Sequence, residues 1–591
     1  MNTIQDYFTN AQLALAAYSD FSAGYDVGSV KTALTDTGHF GLFDPDFTTT
    51  SAQNFVDRFA VINQFTDSGL FGLTGGSGFS ATVFRDTTTG SYTLAIRGTE
   101  PLTPGDFGAD LDLATGSLAR NQLVAMVNYV LRLQVGAAGE TAQLQVNPLA
   151  PSLPPLWSGA MVQGVGPGIA PSNFTLTGHS LGGYLAQGFE RLFGGGTGQL
   201  YTYNAPGFYG DMSLFNQVTS LLGLPAGTFA TIQGNNLVVP GDWAHSVGMI
   251  PGLQTQTPIF SETDNAATPI DAHSIKQMTD SLAVYNLFAT LDPSLNTASA
   301  DNINKITNFL KASSNVAANS LEYTLDALRT LLQTDYTTGS ANYLSSATAI
   351  DDCESLYANL QSLQTYLANS SFNFGTAQAP QYGFTLLTLD EAAGSTGLAE
   401  AARTDLASRY ALYKGNTFVL DATGYDLYTN INANGALTTY DAATHTGELT
   451  DAYLKDRAAF LLAKVKANTD DASVTVSGAN IGHDTAWAKQ GGEEVFYQDK
   501  VSSSGNVFPG YSTAEIYQGN NTAGIQALTN SQLNDIKQIQ FGSSISDTLT
   551  GGNKDDHLYG GAGNDTLTGG KGNDNRDVAN EAHYEGERRV A

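Results

Sequence analysis

Phe174-Thr175-Leu176-Thr177-Gly178-His179-Ser180-Leu181-Gly182-Gly183 is the stretch from which the rest of the chain can be read. Phe174 to Thr177 alternates like a short buried strand, and Leu181 to Phe193 has helix-forming composition with apolar residues on one side. A strand that turns sharply into a helix strains the backbone at the serine and pushes its hydroxyl out of the sheet. Side chains two positions to either side would collide there, which is why Gly178 and Gly182 are needed. The helix start also aims backbone N–H groups at the serine, which suits a developing oxyanion. Gly-x-Ser-x-Gly alone says little in a chain with 63 glycines. The strand–turn–helix context and the extra Gly183 make it read as a nucleophile elbow.

Around this elbow the chain alternates strand-like and helix-like segments up to about residue 290, as an α/β domain does. Tyr92 to Arg97 reads as a strand ending at Gly98-Thr99, Ser117 to Val135 as a helix with a serine N-cap, and Leu200 to Asn204 as a strand closed by Ala205-Pro206-Gly207. Thr228 to Gln233 is a further strand candidate, and Asp280 to Phe288 reads as helical. Residues 147–171 form a Pro- and Gly-rich apolar segment with Leu149, Leu153, Leu156, Trp157, Met161 and Val162. It reads as a long loop, either packed or serving as a lid or acyl-chain entrance.

Downstream, 293–370 turns helical, with Ile303, Ile306, Leu310 and then Leu321, Leu325, Leu328, Leu332 as core-facing stripes. A mixed α/β region follows over 371–541, rich in Asn, Gly, Thr and Tyr, with β-like patches such as Ser473 to Val476.

From 542 a period of nine sets in: Asp547, Asp556, Asp565 and Asp574 recur, with glycine pairs at 551–552, 560–561 and 569–570. This is the Gly-Gly-x-Gly-x-Asp-x-apolar-x pattern of a parallel β-roll. Each aspartate supplies a hard oxygen, and glycines permit tight turns with accessible carbonyls, so stacked turns suit Ca²⁺. The candidate ligands are Asp547, Gly552, Asp556, Gly561, Gly563, Asp565, Gly570, Gly572 and Asp574. Residues 575–591 are charged and mixed, and read as an atypical tail outside the roll.

With 591 residues the chain is too long for one core. Its 56 acidic against 26 basic side chains give a formal charge of −30, which argues against a nucleic-acid partner. The single cysteine, Cys353, excludes an internal disulfide framework and an ordinary thiolate zinc site. No stretch approaches the ~20 apolar residues of a membrane span, and the N-terminus lacks the basic start and apolar run of a signal peptide.

A nucleophilic serine needs a base, and the base needs a carboxylate to fix its tautomer. On an α/β-hydrolase scaffold the chain order is Ser, then Asp or Glu, then His. Of the eight histidines, His245 and His273 are suitably placed, and His273 is preferred because it sits in a loop just before a helix. His245 lies only three residues from Asp242, the preferred acid, which follows a strand end in a turn; Asp264 and Asp271 are the competing acids. The oxyanion donors expected are Leu181 N–H and, from the Arg97-Gly98-Thr99 loop, Thr99 N–H.

With these residues in hand, the region from about 50 to 290 resembles the class 3 (fungal-type) lipases of the α/β-hydrolase fold. The matching pieces are Ala95-Ile96-Arg97-Gly98-Thr99, Gly178 to Gly183, Asp242 and His273. The resemblance implies Ser180 as nucleophile, Asp242 and His273 as its triad partners, and Thr99 with Leu181 as the oxyanion hole. The tail is similar to that of RTX exoproteins, which implies export by a type I apparatus without a cleaved signal peptide.

The organisation expected is an α/β-hydrolase catalytic domain over 1–292, a helical region over 293–370, the mixed region, a β-roll over 542–574 and the tail. The activity expected is that of a secreted, calcium-stabilised triacylglycerol lipase working at a lipid–water interface through an acyl-enzyme. Phospholipase A1 or a broad carboxylesterase is the enzymatic alternative, and a calcium-binding structural exoprotein with a degenerate hydrolase domain is the alternative of another class.

Overall fold

The computed structural model describes residues 2–36, 47–67, 76–98, 119–147, 154–193, 199–207, 213–224, 234–240, 242, 255–261, 272–313, 321–332, 353–369, 382–386, 394–422, 428, 432, 435–471, 489–490, 493–499, 534–543 and 545–577. The chain divides into two compact units, the first made of Met1–Ser261 with Ala267–Asn286 and the second of Glu262–Ala266 with Leu287–Ala591.

The first unit is built on a seven-stranded sheet. Its strands are β1 (Phe59–Thr66), β2 (Ser80–Asp86), β3 (Tyr92–Ile96), β6 (Phe174–His179), β7 (Leu200–Tyr203), β8 (Gly234–Val238) and β9 (Thr255–Pro258), in that spatial order. β1, β2 and β3 pair antiparallel, and every later neighbour pairs parallel. Parallel neighbours need crossovers, and the helices Ala119–Val135, Leu181–Phe193 and Ser213–Leu222 lie in the first three of the four. The central strands are buried, which is why Leu94, Ala95, Ile96, Leu176, Leu200 and Leu237 read as apolar runs. The helix Ile4–Ala16 begins with a Thr3–Asp6 capping box and lies against the sheet. There Thr177 Oγ1 donates to Asn10 O (3.0 Å) and Tyr203 Oη donates to Tyr7 O (2.6 Å).

Several segments differ from the sequence reading. Part of 147–171 is not a loop: Leu156–Gln163 is strand β5, paired antiparallel with β4 (Glu140–Gln145) in a separate hairpin. Proline and glycine density marked the segment as irregular, but Pro154 and Pro155 only precede the strand, and Gly159 sits at a register shift within it. The helix around Asp280 begins at Ile275, two residues after His273. The strand proposed over 228–233 falls outside the described residues, and the strand that is described starts at Gly234. Ser473 to Val476 also lies outside them.

In the second unit the helices Ala300–Ser313, Leu321–Leu332 and Cys353–Asn369 carry the apolar stripes inward, with Ile303, Ile306, Leu325 and Leu328 all buried. Strands β10 (Tyr382–Leu386) and β11 (Phe418–Ala422) pair antiparallel, and helices Gly394–Thr404, Leu406–Lys414 and Asp451–Asp471 complete the mixed region. The remaining strands are β12 (Lys489–Gln490), β13 (Glu493–Asp499), β14 (Lys537–Phe541), β15 (Thr548–Thr550), β16 (His557–Tyr559), β17 (Thr566–Thr568) and β18 (Asn575–Asp577).

β13, β14, β16 and β18 run parallel in one sheet, and β15 and β17 in another. Ile539 pairs with His557, His557 with Asn575, and Thr548 with Thr566, so the coil advances one layer every 18 residues, or two nonapeptides. This corrects the reading of 575–591 as lying wholly outside the repeat, since Asn575–Asp577 adds a strand to it. Arg576 and Asp577, whose charge hid this strand, do not interrupt its backbone pairing.

Candidate active site and the nonapeptide coil

Ser180 follows β6 directly and opens the helix Leu181–Phe193 with φ at +56°. Few residues other than glycine adopt that conformation, and it persists only where the surroundings hold it. Ser180 N donates to Tyr203 O (2.9 Å), and Ser180 O accepts from Tyr184 N (3.1 Å). A Cβ on Gly178 would stand 2.5 Å from the carbonyl carbon of Gly182, and one on Gly182 would stand 2.7 Å from that of Arg97. A Cβ on Gly98 would come within 2.6 Å of His179 O, so the chain leaving β3 runs directly against the elbow. Ser180 Oγ is buried and accepts or donates no hydrogen bond among the described residues.

Asp242 lies four residues past β8, its N–H bonded to Val239 O (3.0 Å) in a turn. His273 Nδ1 and Asp242 Oδ1 are 3.1 Å apart, with both side chains buried. A carboxylate can only accept, so the Nδ1 position carries the proton and Nε2 is the basic nitrogen of the neutral ring. The segment carrying His273 is gripped at two successive carbonyls. Asn204 Nδ2 donates to Ala272 O (3.0 Å), and His179 Nε2 approaches His273 O at 2.7 Å.

His179 is the residue before Ser180, so the elbow itself braces the His273 backbone. Because the His273 carbonyl can only accept, His179 must carry its proton on Nε2, and its Nδ1 must accept from Tyr18 Oη (2.8 Å). Burial holds the His179 imidazole well below its usual value, and the neighbouring His273 ring acts in the same direction. The ring is therefore neutral at pH 7, as this bonding pattern requires.

Asn204 also sits at positive φ (+47°) at the end of β7, and its Oδ1 accepts from Val239 N (3.0 Å). It thereby links the chain beyond β8 to the segment carrying His273. Sequence reasoning missed Tyr18, His179 and Asn204 in these roles. Tyr18 is 161 residues from its partner and carries no local signal. For Asn204 the available hint is an Asn at a strand end, the non-glycine type most at ease with positive φ. Thr99, His245, Asp264 and Asp271 lie outside the described residues.

Leu181 is the first residue of its helix, where an N–H has no intrahelical partner. No described helix is long and apolar enough to cross a membrane.

In the coil three of the repeat aspartates reach back one layer, while Asp547 Oδ2 accepts from Ser543 N and Oγ. Asp556 Oδ1 accepts from Gln538 N (2.7 Å), Asp565 Oδ1 from Asp547 N (2.8 Å) and Asp574 Oδ1 from Asp556 N (3.0 Å). Gly561, Gly563, Gly570 and Gly572 all have positive φ and pack most closely on the backbone 18 residues earlier; a Cβ on Gly563 would lie 2.7 Å from the carbonyl carbon of Ile545. Burial holds the Asp556 and Asp565 carboxyls above the usual carboxylate range, with the charges of Asp574 and Asp547 respectively pushing the same way. A hard divalent cation relieves that penalty, so the donor chemistry fits Ca²⁺. Among the described residues no group of three or more His, Cys, Asp or Glu side chains forms a metal site by itself.

Residues 541–575 match the RTX calcium-binding nonapeptide repeat, in four copies, and the repeats of this chain are calcium-binding. No curated protein matches the chain. Solved structures similar to it include the Lip2 lipase of Yarrowia lipolytica, with 17% identity, TM-score 0.24, and coverage of 45% of this chain and 82% of that one. A nonglycosylated form of the Yarrowia lipolytica LIP2 lipase gives 16%, 0.23, 45% and 83%. The extracellular lipase LipA of Serratia marcescens gives 14%, 0.22, 42% and 40%. At such TM-scores the likeness carries no weight for this chain's chemistry.

Proposed function

We propose that the chain is a secreted, calcium-stabilised serine hydrolase of carboxylic esters, acting as a triacylglycerol lipase, with residues 1–292 as its α/β-hydrolase catalytic domain. The observation that carries this reading is the strained Ser180 at a strand–helix junction, together with a His273–Asp242 pair whose histidine backbone is braced by His179, the residue before Ser180.

In this mechanism Ser180 Oγ attacks the ester carbonyl carbon while His273 Nε2 takes the hydroxyl proton. Asp242 holds the ring in the Nδ1–H tautomer and stabilises the imidazolium as it forms. Leu181 N–H and Thr99 N–H receive the negative charge that develops on the carbonyl oxygen; each such donor contributes roughly 10²–10³-fold. The tetrahedral intermediate collapses, the alcohol departs with the proton from His273, and an acyl-Ser180 ester remains. Water, deprotonated by His273, then releases the carboxylic acid.

Calcium would be held in the β-roll by Asp547, Asp556, Asp565 and Asp574 with the carbonyls of Gly552, Gly561, Gly563, Gly570 and Gly572. When bound it neutralises stacked carboxylates; it takes no part in ester cleavage.

The test is hydrolysis of a short-chain ester, a long-chain triglyceride emulsion and a phospholipid by wild type and Ser180→Ala, with calcium and with chelator. Triglyceride cleavage abolished by the substitution supports the lipase reading, whereas preference for the phospholipid would make the enzyme a phospholipase A1. Absence of ester cleavage and of fluorophosphonate labelling at Ser180 would leave a calcium-binding exoprotein with a degenerate hydrolase domain.

A further inference from the structure

The β4–β5 hairpin is separate from the first unit's seven-stranded sheet, and its strand β5 is nearly all solvent-exposed. Leu156, Trp157 and Met161 are 42%, 41% and 59% exposed, three large apolar side chains on a single strand. Its root is firmly tied. Asn128 on the helix Ala119–Val135 bonds both Leu144 N (2.7 Å) and Leu144 O (2.8 Å), and Arg132 Nε donates to Gln163 O (2.9 Å). Leu144 itself is buried in the core cluster. The exposed residues are therefore presented by a braced element.

Three observations indicate what the strand meets. The first is charge. Between Glu140 and Glu190 the sequence contains no Asp, Glu, Lys or Arg, in a chain of net charge −30. A surface free of ionisable groups avoids the desolvation cost of entering an apolar medium, and the acidic remainder disfavours an acidic one.

The second observation is geometry. Leu156 pairs across from Gln145 and Trp157 from Leu144, so neighbouring apolar residues point to opposite faces of the ribbon. Trp157 shares its face with Leu144, which the unit's own core covers, yet it is 41% exposed, so β5 projects its apolar side chains beyond the core.

The third is edge chemistry. Pro154 and Pro155 precede β5, and the register shifts opposite Ser158-Gly159-Ala160, where Gly159 has φ +74°. Prolines and bulges blunt an edge strand against pairing with a second copy of the same chain.

We propose that β5 is an anchor that inserts Leu156, Trp157 and Met161 into a neutral lipid–water interface. The proposal deepens the ester-hydrolase reading by naming the surface that meets the substrate phase, and it rests on that reading only for the identity of the lipid. Trp157 suits the role because its ring prefers the boundary between apolar and polar layers.

The experiment is co-sedimentation of the calcium-loaded full chain with phosphatidylcholine vesicles, and with vesicles containing phosphatidylglycerol. It is run on wild type, Trp157→Ser, Met161→Ser, the double variant and Ser180→Ala. Roughly half of each side chain remains to be buried, so each single substitution should weaken partitioning about three- to tenfold and the pair about 10- to 100-fold. Wild type and Ser180→Ala should bind phosphatidylcholine alike, and phosphatidylglycerol should weaken binding at low salt. Short-chain ester hydrolysis by the hairpin variants should equal wild type, which shows that they are folded.

No binding of wild type to neutral vesicles, or binding that the double variant leaves unchanged, overturns the proposal. So does a concentration-dependent dimer that the double variant abolishes in the absence of vesicle binding. If hairpin-dependent binding occurs but no ester is cleaved, the anchor stands and the hydrolase reading fails. If esters are cleaved without vesicle binding, the reverse holds.

Discussion

Tyr18→Phe removes one oxygen and leaves the ring in place, yet it should disturb the elbow measurably. Tyr18 Oη is the donor to His179 Nδ1 at 2.8 Å, and His179 Nε2–H is committed to His273 O at 2.7 Å. Without the hydroxyl, a buried nitrogen lone pair loses its donor. Leaving such a group unsatisfied costs about 1–3 kcal/mol. For a unit of this size that corresponds to a fall in Tm of about 2–10 °C.

Relaxation of the His179 ring would also release the His273 carbonyl, and a misplacement of about 1 Å at a catalytic base costs on the order of 10²-fold in rate. The loss should fall on kcat more than on KM, since no substrate contact is removed. Denaturant unfolding and steady-state ester hydrolysis of wild type, Tyr18→Phe, His179→Ala and the double variant form the assay. In the His179→Ala background the effect of Tyr18→Phe should shrink by about 1 kcal/mol or more, because the hydroxyl has lost its acceptor. If Tyr18→Phe matched wild type in both Tm and kcat, the tautomer assigned to His179 and its bracing role would be wrong.

Four further outcomes follow from the same geometry. Asp242→Asn should leave folding nearly intact while kcat falls on the order of 10⁴-fold, because the amide favours the wrong His273 tautomer; retained activity would remove Asp242 from the triad. Gly182→Ala puts a methyl 2.7 Å from a backbone carbon, so it should destabilise the first unit by about 1–3 kcal/mol and suppress activity, readable by thermal unfolding.

His179 is held neutral in the fold, whereas unfolded it ionises near 6.5. The unfolded state thus binds an extra proton at acid pH, and stability should fall below about pH 6.5 by up to about 1.4 kcal/mol per pH unit. His179→Asn should flatten that slope in denaturant titrations between pH 7.5 and 5. Chelation of calcium should remove hydrogen-exchange protection from 537–577 and also from the helix Asp451–Asp471. Asp456 on that helix accepts from Tyr559 Oη and contacts His557, and Thr450 Oγ1 donates to Asp577 Oδ2 at 2.7 Å. Protection of that helix unchanged by chelation would show that it does not depend on the coil.

Some of this molecule is written in short windows of its sequence. Gly178 and Gly182 mark a turn that no other residue type fits, because the colliding atoms belong to backbone only a few residues away or at the end of the adjoining strand. The nonapeptide period announces a stacked coil with calcium chemistry, because every layer repeats the same local requirement for glycine and aspartate. Charge and the absence of an apolar span are likewise sums over the chain.

Other features had no local signature. Asp242 and His273 are 31 residues apart, and their contact exists only because the sheet sets β8 down next but one to the elbow strand β6 and Asn204 and His179 grip the chain at 272–273. Strand β5 was hidden because its apolar residues have no sheet to face, so no alternation of burial was imposed on them. The strand Asn575–Asp577 was hidden because backbone pairing with the layer below holds it, whatever side chains it carries. Local sterics and repetition are properties of the sequence itself. The pairing of distant buried polar groups is decided by where the sheet sets down its strand ends, because only there does burial make each missing hydrogen bond costly.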